Sequence, residues 1–298
     1  MHISEIQIRD PFVVLEGGKY CLFGSTDKDI WKGPGVGFDV YVSGGGLTEF
    51  DGPFPAFRPA DGFWSTTNFW APEVHCYKGC WYMFATFKPI EGRRGTAILK
   101  SEEGIMGPYL PWSITAAGVS GPATPAEWEC LDGTFFEEDG KPWMVFCHEW
   151  RQIGDGEICA LQLTDDLRGQ ASGKEPSLLF RASEAPWAFE LKGRAPGSFV
   201  TDGPFLYRAG SGTLFLLWSS FGKEGNYCIG AARSQSGRLT GPWIHSGEPL
   251  YSADGGHGML FRSREGTLYL AIHSPNKTPL ERPVFVELAE NGSGLAVK

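Results

Sequence analysis

One unit recurs five times along the chain, and that recurrence limits the fold more than any other feature. Each copy opens on an acid or a histidine, continues as an apolar run, passes a glycine-containing turn and resumes as an aromatic-rich run. The apolar runs begin at Asp10-Pro11, Ala71-Pro72-Glu73, Leu131-Asp132-Gly133, Asp202-Gly203-Pro204 and Gly256-His257-Gly258. The turns that follow hold Gly17-Gly18, Lys78-Gly79, Asp139-Gly140, Gly210 to Gly212 and Gly266. Apolar runs on both sides of such a turn are the signal of a β-hairpin. Counted from Asp10, Glu73, Asp132, Asp202 and His257, the intervals are 63, 59, 70 and 55 residues. Each holds a four-stranded sheet with its loops, which is the span of a propeller blade. A second element, Ser101 to Tyr109 and Ser234 to Trp243, ends in Gly-Pro-aromatic at the same late place in two copies. The reading is an all-β, five-bladed β-propeller, with residues 1–298 as one domain.

Composition agrees with short strands and tight turns: 41 Gly, 21 Pro and 41 aromatic residues. A net charge of -9 argues against a nucleic-acid partner, which would need clustered Lys and Arg. No apolar stretch is long enough to span a bilayer, so no membrane association is expected. Residues 1–10 alternate in polarity like a first strand, and a cytoplasmic location is the expectation. The seven cysteines are odd in number and sit mostly in apolar runs, so no disulfide framework is expected. Ring closure has two candidates, the strand near Val284 to Leu288 or pairing of the first residues with the last blade. Nothing in the sequence sets an oligomeric state.

In a propeller the innermost strand of each blade starts near the axis, so the leading residues Asp10, Glu73, Asp132, Asp202 and His257 converge. Gathered carboxylates raise one another's pKa and cost stability unless protons, cations or a ligand compensate. Such a set suits glycosidic cleavage, which needs a protonated acid at the leaving oxygen and a second carboxylate on water or sugar. A third acid can hold the proton on the first.

Arg9-Asp10-Pro11, Trp70-Ala71-Pro72-Glu73, Leu131-Asp132-Gly133 and Asp202-Gly203-Pro204 resemble the blade openings of glycoside hydrolase family 43. The resemblance runs from residue 9 to about residue 273 and implies an inverting glycosidase of arabinofuranosides, xylosides or related linkages. It implies Asp10 as general base and Asp132 as the residue that tunes and orients the acid. The family's usual acid is a Glu in Glu-Gly-Pro, whereas this chain has Asp202. The side chain is shorter by one bond, about 1.5 Å. Asp202 as acid, Glu149 or Glu224 in its place, and loss of the acid all stay open. Resemblance to arabinan-cleaving propellers implies that His257 contacts a metal ion or its water shell, with a calcium ion on the axis; a satisfied core histidine is the rival reading. No cofactor is otherwise required.

Candidate sugar contacts are Asn68, Phe69, Trp70, Glu73 and Glu149, with Trp31 and Trp128 on loops, because sugar rings take an aromatic face beneath their C–H bonds. Packing between blades competes for every ring, and Asn68 equally suits a turn. The expected substrate is a small oligosaccharide or glycoside in an exo pocket. Two rivals remain: a carbohydrate-binding propeller without catalysis, and a phosphorylase, for which Arg93-Arg94 is the only adjacent arginine pair and a solvated turn the simpler explanation.

Overall fold

The computed structural model describes residues 1–291 and 294–298. Five four-stranded antiparallel sheets follow one another in chain order. The first holds β1 (Arg9–Glu16), β2 (Lys19–Ser25), β3 (Phe38–Ser43) and β4 (Asp51–Phe57). The second holds β5 (Ser65–Tyr77), β6 (Cys80–Pro89), β7 (Gly95–Ser101) and β8 (Leu110–Pro111). In the third are β9 (Cys130–Glu138), β10 (Lys141–His148), β11 (Glu157–Gln162) and β12 (Ser177–Arg181), with the short helix α1 (Trp150–Ile153) after β10. The fourth comprises β13 (Asp202–Arg208), β14 (Leu214–Phe221), β15 (Tyr227–Ser234) and β16 (Trp243–His245). The fifth comprises β17 (Gly256–Arg262), β18 (Leu268–Ser274), β19 (Arg282–Asn291) and β20 (Gly294–Val297). The innermost strands β1, β5, β9, β13 and β17 touch in a closed cycle, so the fold is a five-bladed β-propeller.

Turn chemistry explains the first hairpins. Gly17-Gly18, Lys78-Gly79 and Asp139-Gly140 all have positive φ at both positions, the geometry a two-residue turn needs to match strand twist. The recurring Gly-Pro-aromatic elements both lie between the third and fourth strands of their blades. Between blades the core is aromatic: Phe38, Phe57, Phe69 and Phe87 join blades one and two, and Phe180, Trp187 and Trp218 join three and four.

Ring closure follows neither expected route. The last blade is built wholly from residues after 255, and Val284 to Leu288 lie inside its third strand. The N-terminal residues bridge to their own blade at His2 and Glu49. The seam between blades five and one is instead side-by-side packing of β1 against β17 and β18, with Arg282 donating to the Ser4 carbonyl at 2.9 Å.

Candidate active site

Strand register places the axial residues. Arg9, Trp70, Leu131, Asp202 and Gly256 pair with Ser25, Thr86, Cys147, Ser219 and His273 on the second strands, and after each of these pairs the inner strand's register shifts. The next residues, Asp10, Ala71, Asp132, Gly203 and His257, all adopt left-handed backbone, with φ of 54°, 46°, 57°, 51° and 47°. These five are the structurally equivalent axial positions. Glu73 therefore lies two residues beyond its axial position and Asp202 one residue before. An alignment made on acids alone misses both offsets, because hydrophobic pattern does not reveal where a bulge falls.

The same pairs seal the ring. Backbone N–H groups of Ala71, Asp132 and His257 donate to the hydroxyls of Ser25, Thr86 and Ser219 at 2.8, 2.8 and 2.7 Å. The Asp10 N–H donates to His273 Nδ1 at 3.2 Å. At the remaining seam Cys147 occupies the acceptor's place, and the Gly203 N–H goes to Asp132 Oδ2 at 3.1 Å. Left-handed N–H groups buried at the axis would cost about 1–3 kcal/mol each if unpaired, so these acceptors are required.

Charge is divided unequally among the acids. Burial raises the pKa of Asp10, but His257, Arg9 and a 2.6 Å hydrogen bond from Ser25 outweigh it and hold the carboxyl below its usual range. Burial, with Asp202 and Asp10 as neighbours, pushes Asp132 up to about 7 against the attraction of His257. Asp202 is raised by burial and by Asp10, against His257 and a 2.9 Å hydrogen bond from Tyr227. Burial works against a charged His257, but Asp10, Asp132 and Asp202 raise its pKa, and its Nδ1 stands 3.2 Å from Asp10 and 3.7 Å from Asp132. His273 is the opposite case. Burial and Arg9 push it down to about 3, and because its Nδ1 accepts from the backbone, the ring is neutral with its proton on Nε2.

Asp10, Asp132, Asp202 and His257 all line one cavity of about 790 Å³, within the range of small-ligand sites. Asn68, Trp70, Trp31 and Glu149 line it too. Asn68 also has the left-handed φ of 52° that a turn role implies. Trp70 is fixed by Nε1 donating to the Ile30 carbonyl at 2.6 Å and by edge contact with Trp31. Phe69 is not on the cavity wall: it is 1% exposed, among Phe38, Phe57, Phe63 and Phe87. Glu73 is buried off the wall and paired with His75 at 3.0 Å. Trp128 stacks on His148 at 4.3 Å, away from the cavity, and Glu224 is exposed in the β14–β15 turn. Arg94 does not sit in a solvated turn. It reaches into the cavity, its charge met by Glu129 at 2.6 Å and Glu149 at 3.0 Å.

Sequence reasoning passed over Arg9, Tyr227, Trp150 and Asn276, all on the cavity wall. Arg9 was within reach, since it directly precedes Asp10. Asn276 gave no local signal. Its Oδ1 accepts from Arg9 at 2.7 Å and faces the protonated His273 Nε2 at 3.3 Å. An arginine can only donate, so the amide orientation is fixed and the Asn276 NH₂ is left to the cavity.

The model of the family described as Glycosyl hydrolases family 43 matches residues 3–291. This chain belongs to family 43. A solved endo-arabinase from Bacteroides thetaiotaomicron is similar to it at 38% identity, over 98% of this chain and 97% of that one, with a TM-score of 0.86. Alpha-L-arabinofuranosidase 43 of Humicola insolens is 24% identical over 226 residues, and an extracellular exo-alpha-(1->5)-L-arabinofuranosidase of Streptomyces avermitilis is 25% identical over 197. Those alignments cover 68% and 62% of this chain but 42% and 36% of the relatives, so the family 43 chain spans less than half of their length.

A calcium ion on the axis of this family 43 propeller can be tested against the donors present. Calcium takes six to eight oxygens. Among the described residues no group of three or more His, Cys, Asp or Glu side chains is arranged to hold a metal ion. Asp10 Oδ2 accepts from Ser25, Asp132 Oδ2 accepts from the Gly203 N–H, and Asp10 Oδ1 faces His257 Nδ1 at 3.2 Å. The residues do not fit a directly coordinated calcium, and the surrounding carboxylates raise the pKa of His257, which favours a positively charged ring there.

Proposed function

We propose that this chain is an inverting glycosidase of arabinofuranoside or xyloside type, with Asp10 as general base and Asp202 as general acid. The observation that carries the reading is the opposite perturbation of two carboxyls in one cavity: Asp10 is held ionised while Asp202 is raised toward its protonated form. Inversion needs that division, a carboxylate to take a proton from water and an acid to give one to the leaving oxygen. Asp132 would act through position and charge, since it holds the backbone next to Asp202 and couples to it. Glu149, pushed up to about 7 by burial with Asp202 as neighbour, is the rival donor. Arg94 and Arg151 both bind its carboxylate, whereas the side-chain partner of Asp202 is the Tyr227 hydroxyl. Asp202 is therefore the better-placed acid. Similarity to arabinofuranosidases and an endo-arabinase makes arabinose the first sugar to test.

The experiment is turnover of nitrophenyl arabinofuranoside, xyloside and galactofuranoside by the wild type and by Asp10→Asn, Asp202→Asn and Glu149→Gln. Turnover by the wild type and Glu149→Gln, with both Asp variants down by at least about 10³-fold, is the expected pattern. Loss in Glu149→Gln alone would move the acid to Glu149. No turnover by any form, with sugar still bound, would favour a carbohydrate-binding propeller.

A further inference from the structure

We propose that the cavity rim built from Trp150, Arg151, Lys192 and Arg194 receives a uronate carboxylate on the leaving-group part of a glycan substrate. The inference rests on the hydrolase reading, which makes the Asp202 side of the cavity the leaving-group side. Arg151 stands 3.9 Å from Glu149, and both line the same cavity as Asp202, so the rim opens onto the space the acid faces.

These cations differ from Arg94 and Arg9; Lys32 and Lys88 also line the cavity, Lys88 donating to the Gly92 carbonyl. Arg94 is neutralised by two glutamates, and Arg9 is bound to Asn276. Among the described residues Lys192 and Arg194 have no carboxylate within 4.0 Å, and Arg151 has only Glu149, which it shares with Arg94. Unpaired positive charge is unexpected in a chain of net charge -9, and at the mouth of a cavity it concentrates anionic ligands. Arg151 and Arg194 flank one indole, their guanidinium carbons 5.5 and 5.9 Å from the Trp150 ring centroid. The Leu191 N–H donates to the Ser198 carbonyl at 2.9 Å and the Arg194 N–H to the Leu191 carbonyl at 3.3 Å, so the loop holds Lys192 and Arg194 in a fixed turn. The indole holds the two guanidinium groups at the rim, where a uronate carboxylate can meet a planar guanidinium in two parallel hydrogen bonds.

Two probes decide it: an arabinose-containing oligosaccharide with a uronic acid in the leaving portion, and the methyl ester of the same compound. The wild type should favour the acid in kcat/KM by about 10-fold at low salt, the worth of one charge-assisted contact. That ratio should fall toward 1 at ~0.5 M salt and in Lys192→Gln/Arg194→Gln, while Arg194→Lys keeps part of it. A ratio near 1 in the wild type, or one unchanged by salt or by the double substitution, overturns the proposal and leaves the hydrolase reading standing. Failure of both probes to be cleaved counts against the hydrolase reading instead; calorimetric binding of the pair to the wild type then decides the rim by the same ratio.

Discussion

Gly203→Ala is a severe substitution for a reason the backbone alone does not give. Gly203 has φ of 51°, a conformation normally reserved for glycine, yet Asp10, Ala71, Asp132 and His257 hold the equivalent positions in the other four blades. Ala71 at φ of 46° shows that a methyl group is tolerated there in this fold. Left-handed strain is thus limited to about 1 kcal/mol. What glycine provides at 203 is space: an added Cβ would lie 2.6 Å from His257 Cδ2 and 2.7 Å from Cγ. Displacing a ring in a packed site costs about 1–3 kcal/mol, so the sum is about 2–4 kcal/mol. For a chain of 298 residues that corresponds to a Tm lowered by about 3–6 °C, provided unfolding is reversible. Because His257 must move off Asp10 and Asp132, activity should fall by about 10²-fold, the cost of an ångström of misplacement. Calorimetry gives the first number and initial rates the second. In Gly203→Ala/His257→Ala the clash is gone, so the stability losses should be clearly less than additive. Strict additivity, or a wild-type Tm in Gly203→Ala, would refute the contact as the reason for glycine.

The alkaline limb of kcat/KM should lie above the usual carboxylate range, because the acid must stay protonated and burial raises Asp202, beside an Asp132 that is itself pushed up to about 7. The acid limb should lie below the usual carboxylate range, since Asp10 is lowered; Asp132→Asn removes a like charge and should shift the alkaline limb to lower pH, and an unmoved limb would separate Asp132 from the acid's titration. Asn276→Asp replaces a fixed donor with an acceptor, so KM should rise about 10-fold with a smaller change in kcat. The same KM in the variant would remove Asn276 from sugar binding.

The blades and the axial carboxylates were legible because repetition and turn chemistry are local signals. Asp10, Asp132 and His257 each lead an inner strand, and the fold brings them together. Register was not legible. Whether Glu73 or Ala71 faces the axis depends on where a bulge interrupts pairing, which is set by contacts with the next blade. Phe69 and Trp70 are adjacent aromatics on one strand, so their opposite fates, core and cavity, follow from the pleat. Asn276 is separated from Arg9 by 267 positions and acquires its role only when the first and last blades meet.

Ring closure and chemistry use the same hydrogen bonds, and one seam shows what that implies. At four seams a side chain of the second strand takes the neighbouring N–H, and none of those four acceptors is an acid. Between blades three and four Cys147 stands in that place and the acceptor is Asp132. The carboxylate thereby grips the residue beside Asp202, and the bond favours its ionised form. Cys147→Ser restores the hydroxyl found at the equivalent Ser25 and Ser219. If serine captures the Gly203 N–H, stability should hold or rise by about 0.5–1.5 kcal/mol. Asp132 would then lose a stabilising donor, its pKa would rise, and turnover at neutral pH should drop. Thr86→Val is the control: it leaves the buried Asp132 N–H unpaired and should cost about 1–3 kcal/mol. Stability and activity rising together in Cys147→Ser would show that the seam does not need its acid, and that Asp132 acts on Asp202 through charge alone.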